Sequence, residues 1–249
     1  MNRVVITGMG VLSANAHGIA DFKSALINKK SGIRQIEKLK VLNFGCQVGG
    51  VPQGVEELKG QYFSRDELLA MNSVLTFAGI AAIDCWRDAG FDFPTPDPNQ
   101  VHWDTGAIIG TGIGGIDTLG ECVIPKVNEG KVRRMGSMTV EQTMCSAPSG
   151  KVGGLFGLGG QVTTNSSACS TGTEAIIEGF FKIQSGQLNR VLAGGAEGYS
   201  PYCWAGFDAM QVLSKKFNDS PEKASRPMSA SAGGFVPSSG AGVLFLESL

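Results

Sequence analysis

The chain contains few of the residues that bind metal ions in proteins. It has two histidines in 249 residues, and no pair among its six cysteines has CxxC spacing. Structural zinc sites draw their ligands from closely spaced cysteines and histidines. We therefore expect no metal site.

Charge of one sign and long apolar segments are also scarce. The 21 basic and 22 acidic residues leave a net charge of -1, which gives no reason to expect nucleic acid or an anionic membrane as a partner. No apolar run approaches the ~18 residues that a transmembrane helix needs. Residues 1–6 enter an apolar strand directly, without the apolar core of a signal peptide. We expect no membrane span and a cytoplasmic protein with reduced thiols.

Glycine, in contrast, is abundant, and its 36 copies are clustered in short segments that punctuate predicted strands and helices. Strands are predicted at 3–7, 105–110, 161–168, 190–193 and 242–247. Helices are predicted at 18–29, 64–89, 116–129, 139–157, 169–185 and 205–213, and a proline-rich loop at 94–98. The alternation indicates an α/β protein with a largely parallel sheet. Apolar residues around much of the 169–185 segment predict a buried central helix.

Two glycine-rich segments resemble nucleotide-binding loops only in part. Residues 8–13 follow a strand and almost fit GxGxxG, but the third position is Ser13 and no acidic residue ends a second strand about 20 residues on. Residues 110–115 lack the Lys-Ser/Thr pair of a phosphate loop. Both segments are interpreted as tight turns that pack against neighbouring elements.

The informative cysteine is Cys169, where a predicted strand runs directly into a predicted helix. Small residues surround it, which leaves room for a substrate. Such a corner exposes the thiol at a helix N-terminus, where the dipole and free N–H groups favour a thiolate and can stabilise an oxyanion. A buried, inert cysteine is the alternative, and spacing alone leaves both open. The other five lack this context and are interpreted as structural: Cys46, Cys85, Cys122, Cys145 and Cys203.

A series of short segments covers nearly the whole chain in a recognisable order. They are residues 4–13, 30–33, 107–115, 167–172 (SACSTG), 184–197, 205–214, 224–227 (ASRP), 234–236 (GFV) and 240–242. This ordered set resembles the N-terminal half of the β-ketoacyl-[acyl-carrier-protein] synthases of the KAS II type, within the thiolase-like superfamily.

The resemblance implies a thiolase-like fold in which residues 1–249 form the N-terminal half, a βαβαβαββ-type unit with a mostly parallel, five-stranded mixed sheet. It implies a decarboxylating Claisen condensation in fatty-acid or polyketide-type biosynthesis, without a cofactor. An acyl-carrier protein would deliver the acyl and malonyl groups. The implied assembly is a homodimer, or a complex with a complementing C-terminal half.

Three residues of this chain fall on functional positions of the family. Cys169 would be the nucleophile, with its backbone N–H as one oxyanion donor. Ile113 and Phe207 would line the acyl channel.

The chain also departs from the family pattern. The family's catalytic histidines, a lysine and a glycine-rich loop with a phenylalanine belong to the C-terminal half. Neither His17 nor His102 has their sequence setting, and both are interpreted as ordinary loop histidines. We therefore expect this chain alone to accept an acyl group at most. Residues 229–233 are Ser, Ala and Gly where the family carries charges, and Ser239 replaces a usual acid, which makes a specialised substrate class plausible.

Other functions remain as alternatives. A non-catalytic partner subunit similar to a chain-length factor would lack the active cysteine, so Cys169 argues against it. A degradative thiolase has its nucleophile much closer to the N-terminus. An inert fragment or plain interaction module is the remaining alternative.

Overall fold

The computed structural model describes residues 1–95, 97 and 99–249, so Pro96 and Pro98 of the predicted proline-rich loop lie outside the described residues. The strands are β1 (Val4–Ser13), β2 (Ala16–His17), β3 (Ile33–Gln35), β4 (Val48–Gly50), β5 (Thr105–Gly110), β6 (Val162–Thr163), β7 (Arg190–Glu197) and β8 (Gly240–Ser248). The α-helices are α1 (Ile19–Ile27), α2 (Glu37–Val41), α3 (Val55–Leu58), α4 (Arg65–Leu69), α5 (Ser73–Asp88), α6 (Ile116–Thr118), α7 (Ile124–Asn128), α8 (Thr139–Thr143), α9 (Ala147–Leu155), α10 (Thr171–Gln184) and α11 (Pro201–Ala209). Short 3-10 turns occur at Lys59–Gln61, Val132–Arg134, Ala168–Ser170 and Pro221–Lys223, and a π-helical turn at Leu119–Val123 joins α6 to α7. None of the described helices is long and apolar enough to cross a bilayer.

The main sheet has the strand order β2-β1-β8-β7-β5-β6. Strands β1, β7, β5 and β6 run in one direction, and β8 lies antiparallel between β1 and β7. The predicted mostly parallel, five-stranded mixed sheet is thus confirmed, and the two-residue β2 adds an antiparallel sixth strand beside β1. Strands β3 and β4 form a separate antiparallel pair.

One long helix packs on each face of this sheet. On one face, α5 joins sheet residues such as Ala107, Ile109 and Phe245 in the largest core cluster. On the other face, α10 packs on Ile108 and Leu246. Neighbouring residues of a strand point to opposite faces, so the buried strands β5, β7 and β8 supply both cores.

The two long helices differ in how much of their surface is buried. Twelve of the 16 residues of α5 are buried, whereas in α10 the buried positions form a single stripe with four-residue spacing: Thr171, Ala175, Gly179 and Ile183. The opposite side of α10 exposes Ile177 (47%), Phe180 (37%) and Phe181 (58%). The predicted buried helix is thus buried along one stripe, and no described layer of this chain covers its outer face.

One predicted helix and one predicted strand have different bounds in the structure, because side chains accept hydrogen bonds from backbone N–H groups there. Ser64 and Glu67 form a capping box, but it begins the five-residue helix α4. The long helix α5 begins after Asn72, whose side chain accepts a hydrogen bond from Leu75 N (3.3 Å). The strand predicted at 161–168 has only two paired residues, since the Ser149 hydroxyl accepts from Ile109 N (2.8 Å) where the ladder would continue.

Strand β1 continues through the glycines that were expected to end it, because they allow α5 to pack closely. A Cβ at Gly10 would overlap the carbonyl oxygen of Ala81 and lie 2.7 Å from Cys85 N. A Cβ at Gly8 would lie 2.8 Å from Ala89 Cβ. Any side chain at either position would push the main helix away from the sheet.

We predict that Gly10→Ala destabilises the fold by about 1–3 kcal/mol through overpacking. The measurement is urea unfolding followed by circular dichroism. Gly242→Ala in β8 is the matched control, because a Cβ there meets no atom within 4 Å. Equal unfolding midpoints for the two variants would contradict the close-packing explanation.

Candidate active site

The carboxyl ends of three parallel strands lie at one edge of the sheet. Strands β5, β6 and β7 are followed there by the segments 111–115, 164–170 and 198–200. Open α/β sheets bind ligands outside the carboxyl ends of their strands. This edge is therefore the first place to look for a site, and Cys169 lies in its middle segment.

Cys169 occupies a tight corner between β6 and α10. Ala168 is in the left-handed conformation (φ 52°), a 3-10 turn spans Ala168–Ser170, and α10 begins at Thr171. The side chain of Cys169 is exposed. In the part of the chain that the structure describes, the Cys169 N–H has no hydrogen-bond acceptor. The corner thus presents a thiol and a free N–H at the positive end of a 14-residue helix.

Side-chain hydrogen bonds fix the shape of the corner. The Thr171 hydroxyl accepts from Ser167 N (2.8 Å) and donates to the carbonyl oxygen of Ala168 (2.6 Å). The Asn165 amide donates to the Thr171 carbonyl oxygen (2.9 Å). These bonds join the segment before Cys169 to the first turn of the helix after it.

Glycines bring the first turn of α10 into direct contact with the sheet. A Cβ at Gly110, the last residue of β5, would overlap the Thr171 methyl group. A Cβ at Gly195 in β7 would lie 3.1 Å from the Cα of Gly172. The backbone at Cys169 is consequently positioned by a rigid sheet, with little space for displacement.

The glycine-rich loop after β5 lies beside the Cys169 corner. The Ser166 hydroxyl donates to the carbonyl oxygen of Gly112 (3.1 Å). The carboxylate of Glu197, at the end of β7, accepts from Gly112 N (2.9 Å) and from the Thr111 hydroxyl (3.0 Å). Ile113, predicted to line the acyl channel, is in this loop and is 38% exposed. The structure therefore brings Ile113 and Cys169 into adjoining segments.

Phe207, the other predicted channel residue, belongs to a different cluster. It lies in α11, where its ring meets Phe235 edge-on with centroids 5.3 Å apart. It packs on a small core formed by Cys46, Val48, Leu213 and Ala224. Among the described residues, no hydrogen bond or ring contact joins Phe207 to the corner at Cys169.

The other thiols differ in burial, and Cys122 and Cys203 are half-buried. Cys46 and Cys85 are buried, and burial raises the pKa of both thiols and that of Cys203, which disfavours their thiolates. Cys145 is exposed, which corrects its interpretation as a structural cysteine: the loop before α9 turns it outward, beside Gly114. Cys145 is thus the natural comparison for Cys169.

Both histidines have structural partners. His17 Nε2 lies 2.8 Å from the Asp84 carboxylate and 3.0 Å from the Tyr62 hydroxyl, which itself donates to Asp84 (2.7 Å). His17 lies in strand β2 and not in a loop, contrary to its interpretation. His102 packs edge-on against Trp86, with ring centroids 5.6 Å apart. Neither ring is hydrogen-bonded to the segment around Cys169 in the residues described.

We predict that Glu197→Ala loosens the glycine-rich loop, because two donors lose a charged acceptor worth about 1.5–3 kcal/mol per bond. Amide hydrogen exchange at Thr111–Gly114 should accelerate, as measured by NMR or mass spectrometry. Glu178→Ala, on the exposed side of α10, is the control and should leave this exchange unchanged. Unaltered exchange in Glu197→Ala would show that the carboxylate does not hold the loop.

Known proteins with similar sequences include several 3-oxoacyl-[acyl-carrier-protein] synthases. The 3-oxoacyl-[acyl-carrier-protein] synthase 2 of Vibrio cholerae is 32% identical over 246 residues, which cover 98% of this chain and 58% of that protein. The 3-oxoacyl-[acyl-carrier-protein] synthase 1 of Haemophilus influenzae is 33% identical over 251 residues, covering 100% and 60%. The chain thus spans somewhat more than half the length of the curated relatives it matches.

Solved structures agree with this relationship. A β-ketoacyl synthase from Burkholderia phymatum superposes with a TM-score of 0.86 at 26% identity, covering 100% of this chain and 60% of that one. A type II PKS acyl-carrier protein in complex with its ketosynthase bound to a hexaketide gives 0.84 at 25% identity, with coverages of 99% and 58%. The family model described as "Beta-ketoacyl synthase, N-terminal domain" matches residues 1–249. The chain therefore belongs to the β-ketoacyl synthase family and comprises its N-terminal domain.

Proposed function

We propose that this chain carries the acyl-accepting part of a β-ketoacyl synthase site, with the Cys169 thiol as the nucleophile. One observation carries the proposal: an exposed thiol and an unpaired N–H lie together at the start of α10. Sulfur nucleophiles in catalysis occur in such partly exposed, electropositive surroundings. Cys46, Cys85 and Cys203 do not lie in such surroundings, and burial raises the pKa of their thiols.

The proposed step is a transfer between two thioesters. The Cys169 sulfur attacks the carbonyl carbon of an acyl thioester, and negative charge develops on the carbonyl oxygen. The Cys169 N–H donates to that oxygen. The bond between the carbonyl carbon and the original sulfur then breaks. The departing thiolate takes up the proton that the Cys169 thiol lost, and the acyl group remains on Cys169. Atoms and charge balance without an oxidant, a reductant or a cofactor.

The second half of a condensation requires groups that this chain does not supply. Loss of carbon dioxide from the malonyl donor leaves a carbanion, which attacks the carbonyl carbon of the acyl-Cys thioester; the bond to the Cys169 sulfur breaks, and that sulfur leaves as a thiolate. Stabilising that carbanion requires donors near the thioester carbonyl, and both histidines of this chain have other partners. We propose that those donors belong to the part of the family's length that this chain does not span. Ile113 and Phe207 are proposed to line the acyl channel of the assembled site.

The outer face of α10, defined as Ile177, Phe180 and Phe181, supports a proposal about partners. These residues are spaced three and four apart, so they form one apolar stripe, and each is more than one-third exposed. Contiguous apolar surface of this kind marks an interface. We propose that a complementing C-terminal half covers it, that the assembled protein is a dimer, and that an acyl-carrier protein delivers the acyl chain.

We predict that hexanoyl-coenzyme A adds one hexanoyl group to the chain, detected by intact-protein mass spectrometry. Cys169→Ala should lose the adduct, because the sulfur that accepts the acyl group is gone. Cys145→Ala is the matched control, since it removes the other clearly exposed thiol. It should be acylated like the wild type.

The proposal is wrong if Cys169→Ala keeps the adduct, or if peptide mapping places the hexanoyl group on Cys145. An unmodified wild type would count against acyl acceptance by this chain alone. Repeating the reaction with hexanoyl-loaded acyl-carrier protein would then show whether coenzyme A is an unsuitable donor or the Cys169 thiol is inactive.

We predict that the purified chain self-associates through the face of α10. Size-exclusion chromatography with light scattering should give a mass above that of a monomer, and Phe181→Glu should lower it, because a carboxylate cannot be buried there without a partner. Leu69→Glu is the control, as Leu69 is 75% exposed on a different helix. A monomeric, well-behaved wild type would contradict the prediction.

A further inference from the structure

The hydroxyl of Thr171 has two partners on opposite sides of the left-handed residue Ala168. It accepts from Ser167 N, before Ala168, and donates to the carbonyl oxygen of Ala168 itself. The distances are 2.8 Å and 2.6 Å. Thr171 is only 5% exposed, so its hydroxyl has little access to water. Its methyl group separately packs at Gly110.

These bonds matter because Ala168 is strained. A residue with a Cβ in the left-handed conformation costs about 1–2 kcal/mol relative to the right-handed one. Such strain persists only where the surrounding structure holds it. Ser170 N also bonds to the carbonyl oxygen of Ser167 (3.2 Å), but a relaxed turn could make that bond as well. The Thr171 hydroxyl is the side-chain group that bonds directly to both sides of Ala168.

The conformation of Ala168 sets the direction of the next residue. A change of Ala168 to the right-handed region would rotate the peptide that joins it to Cys169. Both the thiol and the unpaired N–H of Cys169 would then move relative to α10 and to the Gly112 loop. Displacements of this size have large effects on group transfer, because the reacting atoms must be aligned.

We propose that Thr171 is a positioning residue for the Cys169 nucleophile, acting through the left-handed turn at Ala168 that its hydroxyl holds. Thr171 does not touch the substrate. This inference rests on the proposed function for the acyl-transfer step, but the geometry of the turn can be tested without it.

Two substitutions separate the hydroxyl from the methyl group of Thr171. Thr171→Val keeps the shape at Gly110 and removes both hydrogen bonds. Thr171→Ser keeps the hydroxyl and removes the methyl group. Thr76→Val is the control for hydroxyl loss, because Thr76 is also buried (7%) in the first turn of a long helix and bonds to the Asn72 carbonyl oxygen (2.8 Å).

The first readout is alkylation of Cys169 by iodoacetamide, with Cys145 in the same molecule as the internal reference. We expect Thr171→Val to lower the ratio of the two rates by about tenfold or more. Thr171→Ser should restore most of the ratio, and Thr76→Val should leave it unchanged. A purely structural threonine would lower stability without changing the ratio.

The second readout is the rate of hexanoyl transfer from coenzyme A as a function of its concentration. We expect Thr171→Val to lower the maximum rate by about tenfold to a hundredfold with little change in the half-saturating concentration. If Thr171→Val does not fold, the comparison passes to Ala168→Gly with and without Thr171→Val, because glycine accepts the left-handed conformation without strain. Glycine adopts left-handed and right-handed conformations about equally, so the hydroxyl is still needed to select the left-handed one, and its added loss should again lower the maximum rate.

Distinct outcomes test the two proposals. An unchanged alkylation ratio in folded Thr171→Val, or a Thr171→Ser variant as impaired as Thr171→Val, would overturn the positioning role. The wild type could transfer no hexanoyl group while the ratio of alkylation rates still depends on the Thr171 hydroxyl. That result would support the positioning role and count against acyl acceptance by this chain.

Discussion

The sheet is in very close contact with its two long helices, and this contact is possible only where side chains are missing. Gly8 and Gly10 bring β1 against α5, and Gly110 and Gly195 bring two strands against the first turn of α10. Backbone in direct contact with backbone leaves little freedom to shift or tilt. The position of Cys169 follows from this, because its corner is fixed to the same first turn. A high glycine content, which usually suggests flexibility, here produces rigidity.

The sequence predicted the strands of the sheet centre well and its margins poorly. Strands β5, β7 and β8 are continuous apolar runs bounded by glycine, so their existence can be inferred from local pattern. The length of β6 cannot be inferred in this way, since Ser149, 13 residues before it in the chain, accepts the hydrogen bond from Ile109 N that would continue the pairing with β5. What covers the outer face of α10 could not be predicted from the sequence either. An apolar helix surface indicates that something covers it, but not whether that partner is part of the same chain.

In the candidate site, too, local sequence signals identify some residues and not others. Cys169 could be selected because small residues and a strand-to-helix change are both local signals. Glu197 and Thr171 could not, because their roles depend on hydrogen bonds that spacing rules do not describe. Thr111 and Glu197 are 86 residues apart and become neighbours only because β5 and β7 are adjacent and parallel. Phe207 was selected by resemblance, and its packing against Phe235 gives no local reason for a role in the channel.

The position of β8 has a consequence for how the chain acquires its structure. This strand, the last of the eight that the structure describes, is inserted between β1 and β7 and pairs Ser248 with Val4. The centre of the sheet therefore closes by a contact between residues that are synthesised at opposite ends of the sequence. Until β8 pairs, β1 and β7 each keep an edge of unpaired backbone N–H and C=O groups. Pairing between residues so distant in the sequence is slow, so we expect this sheet to fold slowly and to benefit from chaperones that shield strand edges.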